Sequence, residues 1–238
     1  MTLIKHTFQI AFTICLLTLV FSAPATAQKK ERKEITAAAK TAQKATKALD
    51  EIMAISDRSV PTDLLRKAKA VGVFPNVIKG AFIIGGQGGK GLISRRVKGG
   101  WGAPALFKLG GASIGFQIGG SSTDVVMLFM TDDSLKNLLE DKFEIGGEAS
   151  AAAGPVGRTA KAATDAQLKA QILSYSRSKG LFAGVSLSGA VISPDDNANR
   201  ALYSYPAKEL LTGVSKIPLA KIPPATKPFQ QALTRYSK

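Results

Sequence analysis

Histidine and cysteine, which many enzymes use as bases, nucleophiles and metal ligands, occur once each in this sequence, as His6 and Cys15. Both lie before Ala25-Thr26-Ala27, a small-residue motif that fits the A-x-A rule for signal peptidase. Cleavage after Ala27 would leave a chain with neither residue type. We therefore expect no disulfide, no Cys–His dyad, no Ser–His–Asp triad, and no resident metal or cofactor.

The residues before this site have the character of an export signal. Lys5 and His6 give a basic start, and residues 8–21 form a largely apolar run. A run of about 14 residues is shorter than the roughly 20 that span a bilayer, so cleavage is favoured over an uncleaved anchor. The sequence predicts export to the periplasm or cell envelope, with full secretion left open.

Two short motifs match enzyme signatures but lack the context that those signatures require. Gly86-Gln87-Gly88-Gly89-Lys90-Gly91 matches G-x-G-x-x-G, yet residues 92–96 have strand character where a dinucleotide site needs a helix. Ser176-Arg177-Ser178-Lys179 matches S-x-x-K, but the S-D-N and K-T-G partners of that acyl-enzyme chemistry are missing. We interpret the first motif as a hairpin turn and the second as the end of a strand.

Two pairs of adjacent carboxylates, Asp132-Asp133 and Asp195-Asp196, could serve hydrolysis or bind a metal. Each pair stands where a helix is predicted to begin, so capping and compensation of the helix dipole explain it better. The sequence predicts a non-enzyme. The alternative is an enzyme based on carboxylates, and it requires acids such as Asp124, Asp132 and Asp165 to meet in one pocket.

Basic residues are the strongest remaining candidates for a binding function. The chain has 32 Lys and Arg against 17 Asp and Glu, a net charge of +15, which favours anionic partners. Cations beside exposed glycine backbone can bind phosphate oxygens through charge-assisted hydrogen bonds. Export makes nucleic acid the least favoured anion. The candidate anion-binding residues are Lys90, Arg95, Arg96 and Lys98 on the glycine-rich hairpin, and Arg158, Arg177 and Lys179 further along the chain.

An amphipathic helix is predicted over residues 33–55 and would present further cations. Its apolar stripe has spacings of three and four and comprises Ile35, Ala38, Ala42, Ala45, Leu49 and Ile52. Another face carries Lys33, Lys40, Lys44 and Lys47. The helix either docks on the domain or lies on a membrane interface, where Lys40, Lys44 and Lys47 would face headgroups. Docking is favoured because the domain is the nearer surface.

The remaining elements predict an α+β domain with a strongly curved, glycine-rich antiparallel sheet, an N-terminal amphipathic helix and short flanking helices. A helix over residues 61–70 carries Val71 on its apolar face, and another begins at Ser193 with Pro194 in its first turn. Residues 206–238 are predicted to form a basic, proline-rich tail that is extended and mobile. The predicted strands are residues 81–84, 91–96, 103–109, 113–118, 123–130, 143–150, 172–178 and 181–192, the last two forming a hairpin.

Several motifs, in order along the chain, resemble the SYLF lipid-binding domain family. They include Lys67-Ala-Lys-Ala-Val-Gly-Val-Phe-Pro75, Phe82-Ile-Ile-Gly-Gly-Gln-Gly-Gly-Lys-Gly91, Gly99-Gly-Trp-Gly-Ala-Pro104, Ala152-Ala-Gly-Pro-Val-Gly-Arg158 and Asn199-Arg-Ala-Leu-Tyr203. The similarity covers roughly residues 64–203. The predicted organisation is a signal peptide (1–27), a basic amphipathic helix (28–60), a SYLF-like domain (61–205) and the tail (206–238).

The resemblance implies a non-enzymatic domain with a capacity to bind anionic lipid. Eukaryotic members of the family bind phosphoinositides and, in some cases, actin filaments, and neither partner is expected for an exported chain. Phosphatidylglycerol, cardiolipin or lipid A phosphates would take their place. The leading hypothesis is therefore peripheral docking on anionic membranes of the cell envelope. The alternative is a protein-interaction or scaffold module that holds an envelope protein with its curved sheet or basic tail.

Overall fold

The computed structural model describes residues 25–55, 59–81, 85–113, 119–140, 142–156, 169–178, 181–184, 187, 189–213 and 217–238. These residues form helices around a sheet. The helices are α1 (Ala25–Met53), α2 (Thr62–Lys67), α3 (Asp132–Asn137), α4 (Asp196–Tyr203), α5 (Ala207–Thr212) and α6 (Lys227–Tyr236), with a 3-10 turn at Leu219–Lys221. The strands are β1 (Ala70–Ala81), β2 (Gly85–Val97), β3 (Gly100–Trp101), β4 (Ala105–Ser113), β5 (Gly119–Phe129), β6 (Phe143–Glu144), β7 (Ala151–Ala153), β8 (Ile172–Ser178), β9 (Leu181–Gly184) and β10 (Val191–Pro194).

The strands form one strongly curled sheet in the order β6-β10-β4-β2-β1-β5-β8-β7, with β3 beside β2 and β9 beside β8. Every described pair is antiparallel except β7 with β8. A bulge shifts the register of β1 against β5 between Phe74 and Val77, and within it Asn76 has a φ of 51°. This architecture confirms the predicted α+β class and the curved sheet.

Strands β1 and β5 are buried on both faces, and each face belongs to a separate hydrophobic core. Successive side chains of a strand point to opposite faces. Accordingly, Phe74 of β1 and Val125 of β5 lie in one core, and Val73 and Val126 lie in the other. Helices α1, α2 and α6 cover the core of Val73, while α4 and α5 contribute to the core of Phe74. Both layers of helices are needed because the strands expose apolar residues on each side.

Helix α1 docks through the predicted stripe. Ala42, Ala45, Leu49 and Ile52 are fully or almost fully buried, and they pack in the same core as α6 and the strands. Asp50 fixes the C-terminal half of α1, because its carboxylate accepts hydrogen bonds from Arg235 (2.6 Å) and from the Tyr236 hydroxyl (3.0 Å) on α6. Of the two alternatives for this helix, the structure confirms docking on the domain.

The C-terminal region does not form the predicted extended tail. Phe229, Ala232 and Leu233 of α6 are buried, and the Trp101 indole donates a hydrogen bond of 2.9 Å to the hydroxyl of Ser237. The prolines misled the prediction because Pro228 stands in the first turn of α6, where its fixed φ suits a helix. Beyond that turn the spacing of the apolar residues is helical.

Four other predicted boundaries were wrong because strand pairing prevailed over local signals. Val71 lies in β1 rather than on a helix, and α2 ends at Lys67. Ser193 and Pro194 pair with β4, so α4 begins at Asp196. The predicted strand over residues 143–150 is reduced to β6, because Gly146 (φ 90°) lies in a turn. The predicted strand over residues 181–192 is divided into β9 and β10, which pair with different partners.

The buried amide of Asn199 attaches α4 to the sheet. Its Oδ1 accepts a hydrogen bond of 2.7 Å from the Leu106 amide, and its Nδ2 donates one of 3.0 Å to the Leu106 carbonyl. Tyr203, one turn further along, donates from its hydroxyl to the Pro104 carbonyl at 2.7 Å. These contacts give partners to the Leu106 amide and the Pro104 carbonyl, and they add a second donor to the Leu106 carbonyl, which also accepts a hydrogen bond of 3.0 Å from the Asp195 amide.

Gly91 is expected to be essential for stability because no side chain fits there. A Cβ at this position would lie 2.3 Å from the Val73 carbonyl oxygen and 2.6 Å from Cδ1 of the Phe74 ring. Gly91→Ala should lower the free energy of unfolding by about 3 kcal/mol, measured by urea denaturation. Gly88→Ala is the control, because its Cβ would meet nothing within 4 Å. We expect the control to change stability by less than about 1 kcal/mol, and equal losses in the two variants would contradict the close approach.

Candidate functional site

The four hairpin cations lie along β2 and its following turn instead of forming one cluster. Lys90 and Lys98 are eight residues apart, which is up to about 26 Å in an extended chain. Lys98 is exposed in the turn to β3, and Gly99 beside it has a φ of 90°. Within the described residues Lys98 forms no ion pair, whereas Lys90, Arg95 and Arg96 each contact the protein itself. Only part of the predicted set is thus available to a ligand.

Lys90 belongs to a buried ionic contact. Its ammonium lies 2.7 Å from Oδ2 of Asp195, and the ammonium of Lys108, its cross-strand neighbour on β4, lies 3.1 Å from Oδ1. The Asp195 side chain is 2% exposed. Burial raises the pKa of this carboxyl, but the hydrogen bonds and charges of the two lysines outweigh burial and hold the pKa below its ordinary value.

Arg96 has a structural role at the end of α2. Its guanidinium donates hydrogen bonds to the carbonyls of Ala68 (3.0 Å) and Leu65 (2.7 Å), and its Cζ lies 4.1 Å from the centroid of the Trp101 ring. Carbonyls at the end of a helix have no partner within the helix, and a cation there also complements the helix dipole. Burial lowers the pKa of Arg96 from its ordinary value.

Arg95 is likewise engaged within the fold. Its Nη1 donates a hydrogen bond of 3.0 Å to the carbonyl of Leu211 in α5. The contact ties the middle of the sheet to a helix on the Phe74 side. Arg95 and Arg96 therefore hold helices that lie on opposite sides of β2. Reversal of Arg96 to Glu is expected to disturb the fold, because its two carbonyl acceptors would then face a carboxylate.

Arg177 connects three elements across the Val73 side of the sheet. It forms ion pairs with Glu51 of α1 and with Asp124 of β5, the latter at 2.7 Å. The other oxygen of Asp124 accepts a hydrogen bond of 2.9 Å from the amide of Asn76 in the β1 bulge. Although burial lowers the pKa of Arg177, the two carboxylates outweigh it and raise the pKa above its ordinary value. The remaining two candidates, Arg158 and Lys179, lie outside the described residues.

The lysines of α1 lie on its solvent face. Lys33, Lys40, Lys44 and Lys47 are exposed, and they fall within about 60° of one another around the helix axis at 3.6 residues per turn. Lys47 lies 3.7 Å from Glu51. Among the described residues, the other three lysines form no ion pair. The row is directed away from the buried alanine stripe, so it can meet a ligand without any change in the fold.

The acids do not meet in one pocket in the described part of the chain. Asp124 pairs with Arg177, Asp132 lies 3.0 Å from Lys69, and Asp165 is outside the described residues. Asp132 and Asp133 occupy the first turn of α3, as predicted, behind the Thr131 cap. Within the same part of the chain, no three His, Cys, Asp or Glu side chains come close enough to hold a metal ion. The helices there include none with the length and hydropathy to cross a bilayer.

Large apolar side chains on the surface are the feature that the sequence reasoning missed. Among the described residues, the exposed ones are Ile78 (62%), Val97 (36%) and Leu181 (70%). In the sequence Ile78 follows the apolar Val77, and Val97 stands between Arg96 and Lys98, so periodicity gave no signal of their exposure. Lys108 and Asp195 were missed as partners of Lys90 because their contact depends on the pairing of β10 with β4. No local pattern predicts that pairing.

Comparisons with known proteins agree with this picture of a binding domain. The family described as "Ysc84: Las17-binding protein actin regulator" matches residues 110–236. LAS seventeen-binding protein 3 of Saccharomyces cerevisiae is 37% identical over 184 residues, which cover 75% of this chain and 39% of that protein. SH3 domain-containing YSC84-like protein 1 of Homo sapiens is 32% identical over 169 residues, 68% of this chain and 49% of that protein. The chain thus spans less than half the length of these relatives, and the yeast relative is named as a binding protein.

Arg96 is expected to stabilise the fold, and Lys98 is not. Arg96→Ala removes two hydrogen bonds from a charged donor and the contact with Trp101, so the free energy of unfolding should fall by roughly 2–4 kcal/mol. Lys98→Ala, two residues further on, should change it by less than about 0.5 kcal/mol. Urea denaturation of both variants is the measurement. A fully stable Arg96→Ala would contradict the role of this side chain at the end of α2.

Asp195 should make stability depend on pH in the acid range. Its folded-state pKa is below the ordinary value of 3.8, so the stability that it contributes is complete above that value and is lost as pH falls through the folded pKa. Asp195→Asn should lower the free energy of unfolding at neutral pH by roughly 2 kcal/mol and should weaken its decline below about pH 4. Asp132→Asn is the control, because that carboxylate is 73% exposed in its ion pair with Lys69. Parallel pH profiles of wild type and Asp195→Asn would contradict the assignment.

Proposed function

The chain belongs to the Ysc84 (SYLF) family, and from that membership we propose that it is a non-enzymatic binding module that docks peripherally on anionic membranes of the cell envelope. The observation that carries the proposal is the row of exposed lysines on α1. A helix whose apolar face is already covered cannot insert that face in a bilayer, but it can still attract anionic headgroups with its outer face.

Charge gives this row a useful affinity. Each cation near an anionic bilayer contributes about 1 kcal/mol, so four lysines together give binding that is reversible and weakened by salt. Residues 28–238 retain all 17 acids and all basic residues except Lys5, so their net charge is still strongly positive. Phosphatidylglycerol, cardiolipin and lipid A phosphates supply the matching negative charge.

Export is part of the proposal and rests on residues 5–27 of the sequence. It places the chain where these lipids are present, in the periplasm or envelope, with full secretion as the alternative. Actin and nucleic acid are not proposed as partners because they are not expected in that compartment. N-terminal sequencing of the protein recovered from an envelope fraction tests export, and a chain that begins at Gln28 is the expected result.

A protein partner is the second candidate, and the names of the relatives favour it. Both the yeast relative and the matched family are named for binding to Las17. For this chain the corresponding proposal is a scaffold role toward an envelope protein through the curved sheet. The C-terminal region is less suited to such a role than expected, because α6 is part of the core. Capture of one envelope protein that persists at high salt would support this candidate over membrane docking.

Flotation with lipid vesicles tests the membrane proposal. Residues 28–238 are used because they contain every residue of both cores. We expect flotation with vesicles of phosphatidylcholine and phosphatidylglycerol at low salt, a smaller floated fraction at high salt, and none with phosphatidylcholine alone. Absence of flotation with any lipid would contradict membrane docking.

Variants of α1 identify the residues involved in the same assay. Lys40→Gln with Lys44→Gln should weaken binding to the anionic vesicles by about tenfold or more, at about 1 kcal/mol per charge. Glutamine keeps the helix propensity of lysine, so the fold is preserved. Lys136→Gln with Lys142→Gln removes the same charge from exposed positions elsewhere on the surface and serves as the control. Equal losses in the two double variants would mean that only net charge matters.

A further inference from the structure

Beyond the lysines of α1, we propose that the end of the sheet that carries Ile78 and Leu181 enters the interfacial region of an anionic bilayer and fixes the orientation in which the domain docks. The inference rests on the proposed membrane function and deepens it by naming the surface that touches lipid. We call this surface the open end and define it by Ile78, Gly86, Gly88, Ser122 and Leu181. All five residues are exposed.

Ile78 is exposed because its neighbours on both adjacent strands are too small to cover it. In the register of the sheet, Ile78 of β1 lies opposite Gly88 of β2 and opposite Ser122 of β5. Across β5, the Ser178 hydroxyl is 3.4 Å from the Ser122 carbonyl, and Ser178 pairs with Leu181. The two apolar side chains are therefore at the same end of the sheet.

The two side chains point to opposite faces of that end. Asp124 and Arg177 are a cross-strand pair on the face of α1, where Arg177 meets Glu51. Ile78 pairs with Ser122, two residues before Asp124, so it shares the α1 face. Leu181 pairs with Ser178, next to Arg177, and so lies on the other face. A partner docked on one face would leave the other side chain in water, whereas a bilayer interface surrounds the end and covers both.

The cationic row of α1 adjoins this end of the sheet, because Lys47 lies 3.7 Å from Glu51, which forms an ion pair with Arg177. The strand segments at the open end, 76–81, 85–91, 119–124, 176–178 and 181–184, contain one acid, Asp124, which lies 2.7 Å from Arg177 and shares that cation with Glu51 of α1. They also contain Lys79 and Lys90, and Lys90 pairs with Asp195. The exposed lysines of α1 would attract anionic lipid to the side of the domain on which the open end lies.

Exposed glycine backbone makes close contact with headgroups possible at the open end. Gly86 and Gly88 are exposed, and a Cβ added at either would meet nothing within 4 Å. Large apolar residues thus lie beside backbone without side chains, so apolar area is presented where headgroups can approach the sheet closely. Shallow insertion beside a cationic helix requires only a few exposed apolar side chains.

Fluorescent labelling at single cysteines tests the inference directly. Residues 28–238 contain no cysteine, so Ile78→Cys, Leu181→Cys and Val97→Cys each provide one labelling site for the environment-sensitive dye NBD. With vesicles of phosphatidylcholine and phosphatidylglycerol, we expect a blue shift and higher intensity at positions 78 and 181 and no change at 97. Vesicles of phosphatidylcholine alone should change none of the three.

A second set of variants measures the contribution to affinity. Ile78→Ser with Leu181→Ser should weaken flotation with the anionic vesicles by about tenfold or more, because apolar area no longer leaves water. Val97→Ser, at the other end, should leave flotation unchanged. All three positions are exposed, and circular dichroism with urea denaturation confirms that each variant is folded.

The outcomes separate the two proposals. If the unmodified chain floats but the dye at positions 78 and 181 shows no blue shift, insertion of the open end is contradicted and membrane docking stands. If the chain floats with no vesicle, both proposals are overturned. If the dye at position 97 responds as strongly as at 78 and 181, the orientation is overturned, because the domain would then dock without preference for this end.

Discussion

The structure depends on one constraint: the central strands β1 and β5 are apolar on both faces. A sheet with one apolar face can leave the other in water, but Val73 and Phe74, or Val125 and Val126, require cover on both sides. Helices α1, α2 and α6 supply it on one side, and α4 and α5 contribute to it on the other. Because both faces are occupied, the surfaces left for a partner are the ends of the sheet and the outer face of the helices.

Polar contacts hold these layers in register. Hydrophobic cores are tolerant of small sliding movements, whereas a half-buried charge is costly unless a specific partner meets it. Arg177 joins α1 to β5 and β8, Arg96 joins β2 to the end of α2, and Asp195 joins the start of α4 to β2 and β4. Each contact links elements that are distant in sequence. Several residues first considered as ligand-binding groups therefore determine how the helices sit on the sheet.

The sequence predicts those parts of the fold whose signals are local. The stripe of α1 repeats at helical spacing, and the hairpin of β8 and β9 shows strand character on both sides of Gly180; the structure confirms both elements. Pairings between distant segments carry no such signal. Pro194 has the local environment of a helix start, yet it lies in β10 and pairs with Phe107 of β4. Prolines 223 to 228 indicate a tail, yet Phe229 and Leu233 behind them complete a core. The partners of Lys90, Arg96 and Arg177 depend on the same tertiary pairings, so charge alone could not distinguish bound cations from free ones.

The chemistry of the two basic side chains does offer a partial distinction. The planar guanidinium has several donors in a fixed arrangement and is weakly hydrated, so it suits carbonyls and carboxylates at half-buried positions, while the ammonium keeps its water. Here Arg95, Arg96 and Arg177 bond to the protein, and Lys33, Lys40, Lys44 and Lys98 extend into solvent. Lys90 and Lys108 depart from the pattern, yet both keep nearly half of their side chains exposed while they reach Asp195. Division by residue type thus separates the structural cations, most of which lie in the strands, from the available ones, most of which lie on α1. Consequently, the positive electrostatic potential that attracts an anionic surface comes from lysines that make no contact needed for the fold.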